Sequence, residues 1–202
     1  MANADTILIE RCQANDAAAF NEIVARYKSR VHNYVARMVG PNSDAEDLTQ
    51  EVFIRAYVNM HSFQSRASLN TWLYRIATNI CIDFARKTKR VKANTTTLMR
   101  EDEESGEEIE RDIPDSKFEP QSVLMNRELG DKLEQALELL PEKLRTVVLL
   151  HDIEGLAYDE IAHIIECPLG TVKSRLFNAR AALRERLIPY LDGSSAPVRL
   201  SR

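Results

Sequence analysis

Hydrophobic positions recur every three or four residues along most of the chain, which is the spacing of amphipathic helices. One stripe covers residues 20–38 and stops before the Gly-Pro pair at 40–41. Ser43 and Glu46 then form a helix-capping pattern, and a further apolar stripe covers residues 69–84. Only six glycines and seven prolines interrupt the 202 residues, which favours long helices over many short strands.

The helical spacing resumes in the second half of the chain. Apolar stripes cover residues 129–140 and 144–151, and Gly155 ends the second of them. A short helix over residues 158–165 and a long helix from residue 171 follow, separated by a tight connection. The whole pattern predicts an all-α protein.

An acid-rich segment without periodicity separates the two helical sets. Residues 100–120 hold ten acids and three bases. Like charges repel and extend a chain, so we predict a flexible acidic linker over residues 93–121. It divides the chain into two small helical domains, residues 1–92 and residues 122–191, followed by a disordered tail over residues 192–202.

The net charge of −4 conceals two basic segments. Residues 75–92 carry six bases and one acid, and residues 168–190 carry five bases and one acid. Two cationic surfaces on an acidic protein fit a polyanion such as nucleic acid. Two solvated helix faces fit the charge pattern equally well.

Residues 158–180 have the layout of a helix-turn-helix that reads duplex DNA. Val172 and Leu176 continue the buried stripe of the second helix. A plain helical hairpin with a cationic outer face is the alternative. The opposite face of that helix carries six side chains suited to base edges and phosphates: Thr171, Lys173, Ser174, Arg175, Asn178 and Arg180.

Three motifs in this order resemble the extracytoplasmic-function (ECF) sigma factors of bacterial RNA polymerase. They are DAEDLTQEVFIRAY at 44–57, SFQSRASLNTWLYRIATN at 62–79, and PLGTVKSRL at 168–176. The resemblance implies a first domain that binds core polymerase and melts the promoter −10 element. It implies a second domain, a helix-turn-helix, that reads the −35 element.

The same resemblance implies partners and site residues. The partners are core RNA polymerase (β′ clamp and β flap), promoter DNA and an anti-sigma factor that can lie at the inner membrane. The expected polymerase contacts are Asp44, Asp47, Gln50, Glu51 and Phe53. The expected −10 contacts are Ser62, Gln64, Arg66, Tyr74, Arg75, Thr78, Asn79, Arg86 and Lys87.

Two local expectations accompany these assignments. Tyr74 is expected to face solvent or DNA, whereas Trp72 lies on the apolar stripe and is expected in the core. Ala157 stands where the family often has a capping Ser or Thr, and Asp159 is expected to compensate.

The spacing of Asp44, Asp47 and Glu51 alone fits an exposed acidic helix face as well as a polymerase contact. The acidic linker is compatible with mimicry of nucleic-acid charge and with a solvated tether.

Other classes of protein fit the sequence less well. An enzyme is disfavoured because no phosphate-binding glycine loop or nucleophile motif occurs, and no cofactor or metal is expected. His163 and Cys167 have metal-ligand spacing but lack a second ligand pair. A helix-turn-helix activator or repressor is the main alternative.

The three cysteines are scattered, and the sequence has no membrane-spanning run and no secretory signal, which together predict a cytoplasmic protein. A redox role for a cysteine stays open.

Overall fold

A computed structural model describes residues 4–40, 44–64, 67–98 and 121–191, and these residues form helices and short connections without a strand. The all-α prediction is confirmed. A 3₁₀ turn at Met60–Ser62 follows the third helix, and a π-helical turn at Leu149–Ile153 follows the sixth. The helices are α1 (Ala4–Gln13), α2 (Ala17–Val39), α3 (Ala45–Asn59), α4 (Leu69–Leu98), α5 (Gln121–Glu138), α6 (Glu142–Val148), α7 (Tyr158–Ile164) and α8 (Leu169–Leu191).

The long helix α2 has distinct signals at both ends. The Asp16 carboxylate accepts hydrogen bonds from the backbone N–H groups of Ala18 at 2.9 Å and Ala19 at 3.3 Å. These contacts satisfy donors that the first turn of a helix leaves unpaired. Gly40 ends the helix with φ of +91°, a backbone conformation that glycine adopts without strain. Helix α1, which buries Leu8 and Ile9, is not predicted by the apolar stripes of the sequence.

The predicted linker boundaries differ from the helix ends. Helix α4 continues through Leu98, six residues beyond the expected boundary, because each added residue extends a formed helix by one more hydrogen bond. Residues 99–120, which hold most of the predicted linker, lie outside the described residues, as do Ser43 of the predicted cap and the tail from residue 192.

Helix α7 begins without a capping side chain, because Ala157 offers no side-chain acceptor. The Ala157 backbone N–H instead donates to Glu160 Oε2 at 3.0 Å. Glu160, rather than Asp159, therefore supplies the compensating hydrogen bond, and Asp159 adds a favourable charge to the first turn.

Helices α1–α4 and α5–α8 form two sets that pack on each other through α2 and α4 on one side and α5, α6 and α7 on the other. The buried apolar side chains of both sets form one continuous core. Polar contacts also cross this boundary. Arg37 Nε on α2 donates to Glu134 Oε1 on α5 at 2.9 Å.

Arg145 on α6 joins the ends of two helices. Its Nη1 donates to the carbonyl oxygen of Met38 near the end of α2 at 2.9 Å, and its Nη2 donates to that of Leu140 at 3.1 Å and to that of Glu138. These carbonyls lack partners within their helices, and a cation favours the negative end of the helix dipole. Burial lowers the pKa of the Arg145 guanidinium from its usual value.

Replacing Arg145 by alanine should lower the free energy of unfolding by about 2–3 kcal/mol, because carbonyls at both helix ends lose a charged donor. The measurement is urea unfolding followed by circular dichroism. Lys143→Ala is the matched control on the exposed side of α6 and should change stability by less than about 0.5 kcal/mol. Equal stabilities of the two variants would contradict this role of Arg145.

Candidate nucleic-acid interface

Helices α7 and α8 form the predicted helix-turn-helix. Ile161 and Ile164 of α7 are buried together with Val172 and Leu176 of α8. Glu166 in the connection adopts φ of +49°, and the Cys167 backbone N–H donates to the Ala162 carbonyl oxygen at 3.1 Å. The apolar stripe of α8 thus orients the opposite face of this helix outward.

The outward face of α8 contains the residues predicted to contact the −35 element. Lys173, Ser174, Asn178 and Arg180 are exposed, whereas Thr171 and Arg175 are half-buried. Two of these side chains have partners within the second half of the chain. Ser174 Oγ donates to the Thr171 carbonyl oxygen at 3.1 Å, and Arg180 Nε donates to Asp152 Oδ2 at 3.0 Å.

An exposed aromatic residue on α8 lies outside the set of polar contacts predicted from the sequence. Phe177 keeps 74% of its surface exposed and lies next to the predicted DNA-contacting Asn178. Its sequence signal is an apolar residue outside the buried stripe of Val172, Leu176 and Ala179. An exposed phenylalanine on a helix that enters the major groove can contact thymine methyl groups.

The outward face of α3 contains the predicted acidic ridge. Asp44, Asp47 and Gln50 are exposed, and Glu51 is half-buried and forms an ion pair with Arg55. Phe53 does not share this face. It keeps only 7% of its surface exposed, so the prediction that it packs on a partner is not supported by its position in this structure.

Apolar side chains extend the acidic ridge of α3 toward the end of the helix. Ile54 is 62% exposed and Val58 is 70% exposed, and the adjacent Tyr57 is 55% exposed. Tyr57 packs edge-on against Phe20, with 5.0 Å between ring centroids. Exposed apolar residues at adjacent positions on one helix face are typical of a protein interaction surface. Their sequence signal is apolar residues outside the buried stripe of α3.

The connection before α4 presents part of the predicted −10 site. Ser62 and Gln64 are exposed, whereas Phe63 is buried and packs against Trp72 with 5.0 Å between ring centroids. Trp72 thus lies at the edge of the core, as its position on the apolar stripe predicts. Arg66 lies outside the described residues.

Two predicted −10 residues on α4 lie inside the protein. The expectation that Tyr74 faces solvent is wrong, because its exposure is 1% and its ring packs edge-on against Tyr34 at 5.2 Å between centroids. Thr78 is fully buried, and its hydroxyl and that of Tyr34 share a hydrogen bond of 2.7 Å. Periodicity places both residues on the polar side of α4, but Tyr34 of α2 packs on that side, and the second half of the chain covers the Tyr74 hydroxyl.

The covered side of α4 contacts carboxylates of the second half. Thr71, which sequence reasoning does not single out, donates through Oγ1 to Glu160 Oε1 at 2.6 Å. The Tyr74 hydroxyl donates to Glu154, and Arg75 forms an ion pair with Glu166. Three predicted −10 residues of this helix remain exposed, namely Asn79, Arg86 and Lys87.

A cleft of about 690 Å³ lies between the predicted −10 connection and α7. Phe63, Ser68 and Leu69 line it on one side, and Asp159 and Glu160 line it on the other. Carboxylates in such a cleft repel the phosphates of a nucleic acid.

Burial is the main cause that raises the pKa of the Tyr74 phenol well above its ordinary value, and the neighbouring Glu154 carboxylate raises it further. Both effects disfavour a phenolate, since the anion is poorly solvated and next to another negative charge. Tyr74 therefore remains a neutral hydrogen-bond donor. Burial also raises the pKa of the Cys81 thiol to about 12, which keeps this cysteine protonated.

No helix in the described part of the chain is both long and apolar enough to cross a lipid bilayer. Within the same ranges, no group of three or more His, Cys, Asp or Glu side chains is placed to hold a metal ion.

Comparison with known families identifies two regions in this chain. The family model for Sigma-70 region 2 matches residues 23–91. The family model for Sigma-70 region 4 matches residues 130–183. The first match includes α3, the connection after it and most of α4, and the second includes α7 and most of α8.

Known proteins resemble the chain over nearly its whole length. The ECF RNA polymerase sigma-E factor of Escherichia coli strain K12 is 37% identical over 189 residues, which cover 93% of this chain and 96% of that protein. The sigma-E factor of Haemophilus influenzae is 36% identical over 93% of this chain and 97% of that protein. The sigma factor RpoE from Bartonella quintana, solved with the anti-sigma factor NepR, has a TM-score of 0.64 at 23% identity, covering 84% of this chain and 96% of that chain. This last likeness concerns the fold alone.

Tyr74 should make the folded protein less stable at high pH. The unfolded chain releases the phenolic proton near pH 10, whereas the folded protein retains it, so the free energy of unfolding falls as pH rises above about 10. Tyr74→Phe should make this decline shallower by about 1.4 kcal/mol per pH unit. The measurement is urea unfolding at several pH values above 10, and equal slopes for the two proteins would contradict the assignment.

Proposed function

The chain belongs to the ECF sigma factors of RNA polymerase, and on this premise we propose which of its surfaces bind polymerase and which bind promoter DNA during promoter-specific transcription initiation. The observation that carries the proposal is the order and coverage of the two sigma regions along a chain that matches 96% of a sigma-E factor. Regions for the two promoter elements are thus present in one chain.

The outward face of α3 is the proposed contact with core polymerase, at the β′ clamp. Its exposed Asp44, Asp47 and Gln50, with Glu51 beside them, offer carboxylates and an amide to a basic partner helix. Ile54 and Val58 add apolar area that a partner can bury. A polar rim around an apolar centre is the usual composition of a protein interface.

The connection over residues 62–68 and the polar side of α4 form the proposed −10 surface. Exposed Ser62 and Gln64 supply groups that can hold a flipped base, and Arg66 is proposed from the motif alone. Stacking and backbone contacts stabilise a captured base by about 1–3 kcal/mol per stacked base. This binding free energy offsets the cost of opening the duplex. Asn79, Arg86 and Lys87 follow along the same helix and suit the backbone of the captured strand.

Tyr74 and Arg75 belong to the proposed −10 surface only when the second half of the chain moves away from α4. Thr78 is left out of the contact surface, because its hydroxyl is bonded to Tyr34 in the core. We retain it as a packing residue that supports α4.

The outward face of α8 is the proposed reader of the −35 element. Arg175 is suited to bidentate contact with guanine, and Lys173 is suited to a phosphate. Thr171, Ser174 and Asn178 supply shorter polar side chains between them, and Phe177 supplies an apolar contact. Arg180 is proposed as a phosphate contact that Asp152 orients.

The remaining partners and setting are part of the proposal. The β flap of polymerase is the proposed contact of the second half, and an anti-sigma factor is the proposed regulator, as in the solved RpoE–NepR complex. We propose that the protein is located in the cytoplasm, where polymerase acts, and that the anti-sigma factor can retain it at the inner membrane. It acts as a polymerase subunit without catalysis of its own.

In vitro transcription tests this function. Purified protein, core polymerase and a library of genomic promoter fragments should produce discrete RNA starts that share −35 and −10 motifs. Core polymerase alone is the control. An absence of starts, together with a footprint of the protein alone on duplex DNA, would favour a helix-turn-helix activator or repressor.

Asp47→Ala should weaken binding to core polymerase by about tenfold, because an exposed carboxylate loses its basic partner. Ile54→Ser should weaken it by a similar factor through lost apolar burial. Glu10→Ala is the matched control, since Glu10 is an exposed carboxylate on α1, outside the proposed surface. Fluorescence anisotropy with labelled protein measures the affinities, and equal affinity of all three variants would contradict the proposed surface.

Arg175→Ala and Lys173→Ala should separate base reading from phosphate binding on α8. Loss of Arg175 should remove about 1–3 kcal/mol of discrimination at one position of the −35 element. Loss of Lys173 should weaken binding uniformly across sequences and reduce the salt dependence by about one counterion. The measurement is competition transcription on promoters with single −35 substitutions at several salt concentrations. An unchanged −35 preference in Arg175→Ala would contradict its role.

A further inference from the structure

Helix α1 contacts the connection that contains proposed −10 residues, although α1 precedes the part of the chain that matches Sigma-70 region 2. That match begins at residue 23, whereas α1 ends at Gln13. The Gln13 Nε2 group donates to the carbonyl oxygen of Met60 at 3.3 Å and to that of Phe63 at 3.0 Å. One side chain of α1 therefore binds the backbone of the 3₁₀ turn at two points.

The two acceptors use both N–H donors of the Gln13 amide. A primary amide has two such donors on one nitrogen, and both lie in the amide plane. The opposite orientation of the amide would place its oxygen against two carbonyl oxygens, which repel it. The amide thus fixes the two carbonyls relative to each other and relative to α1.

The same two carbonyls mark the point where the chain leaves the 3₁₀ turn. The Phe63 N–H donates to the Met60 carbonyl oxygen at 3.1 Å, and Phe63 itself has an extended backbone with ψ of +118°. Its two neighbours, Ser62 and Gln64, are exposed and are the residues proposed to hold a flipped base. The directions of their side chains depend on the backbone at Phe63, which Gln13 holds.

Further contacts anchor the connection at Phe63 and at its far end. The Phe63 ring is buried and packs against Trp72 with 5.0 Å between ring centroids. The ring contact fixes the position of Phe63, whereas the Gln13 hydrogen bond fixes the peptide group that follows it. At the far end, Ser68 Oγ accepts from the Thr71 backbone N–H at 3.1 Å and caps α4.

Helix α1 is itself anchored to α2. The Tyr27 hydroxyl donates to Asp5 Oδ2 at 2.6 Å near the start of α1, and Arg11 Nε donates to Asp16 Oδ2 at 2.9 Å near its end. Buried apolar side chains of α1 add to these contacts. Gln13 therefore holds the connection against a helix that is fixed at both ends.

We propose that Gln13 is a positioning residue for −10 recognition, whose amide sets the start of the connection so that Ser62 and Gln64 face the flipped base. The inference rests on the proposed −10 role of this connection. Gln13 acts through the backbone of Phe63 and not by touching DNA. Without its amide the peptide after Phe63 is free to shift, and a misplacement of about 1 Å is enough to weaken recognition by a positioned group.

The test compares variants of the full-length chain in complex with core polymerase. Gln13→Met removes both donors at similar side-chain volume, and Gln13→Glu removes them while keeping the shape of the side chain. Arg11→Met is the matched control on the same helix, since Arg11 contacts Asp16 and Glu22 rather than the connection.

Competition transcription measures two preferences of each holoenzyme. One is for the mapped promoter over single −10 substitutions, and the other is for the same promoter over single −35 substitutions. Both are ratios within one reaction, so a smaller folded fraction changes neither. Both Gln13 variants should lower the preference at one −10 position by about fivefold, the lower end of what one stacked base contributes, and keep the −35 preference. Arg11→Met should keep both preferences, and circular dichroism should show unchanged helical content.

Several outcomes would overturn the inference. They are an unchanged −10 preference in Gln13→Met, a loss confined to Gln13→Glu, which would reflect the added charge, and an equal loss in Arg11→Met. Gln64→Ala and Ser62→Ala separate these outcomes from failure of the proposed −10 surface. If either lowers the −10 preference and Gln13→Met does not, the proposed function stands and the inference fails. If neither changes it, the proposed role of the connection fails, and the inference fails with it.

Discussion

The packing of the two helical sets depends on one requirement, which is that polar groups buried between them find partners. Helix α4 presents hydroxyl and guanidinium groups to the second half, and carboxylates there accept their hydrogen bonds. The Nη atoms of Arg145 likewise satisfy carbonyls near the ends of α2 and α5, whereas its buried Nε has no hydrogen-bond partner among the described residues. Without these partners, closing the halves would leave donors and acceptors dehydrated, at a cost comparable to that of a lost hydrogen bond each.

A boundary built on polar pairs can also separate, because water can replace each partner. The side chain of Glu166 is 71% exposed and that of Arg75 is 37% exposed, so solvent screens their ion pair and it contributes about 0–1 kcal/mol. The Tyr74–Glu154 pair is more deeply buried and holds the halves more firmly. A continuous apolar contact accompanies these pairs, since both sets share one core. The balance of apolar and polar contact therefore sets how readily the halves part.

The three proposed surfaces of this sigma factor differ in their exposure to solvent while the two helical sets are packed together. The acidic and apolar face of α3 and the polar face of α8 are exposed, whereas the side of α4 that includes Tyr74 is covered. The surfaces proposed for protein and duplex contacts are thus exposed, whereas part of the surface proposed for the single strand is covered.

The sequence by itself determined the helical class, the helices of both sets apart from α1, and the roles expected from three motifs. Local spacing suffices for these features, because helix formation depends on residues three and four positions apart. The same spacing correctly placed Val172 and Leu176 inside and Lys173 and Asn178 outside. It also placed Trp72 at the edge of the core.

Only the tertiary structure decided which polar faces remain open. Tyr74 and Thr78 lie on the polar side of α4 by spacing, yet both are buried, because Tyr34 of α2 packs there and Glu154 of the second half covers the Tyr74 hydroxyl. Ile54, Val58 and Phe177 are apolar and yet exposed, because no described helix covers them. Periodicity records the direction of a side chain around its own helix. What lies in that direction depends on contacts between residues about 80–90 positions apart, as in the pairs Tyr74–Glu154 and Thr71–Glu160, which local spacing does not encode.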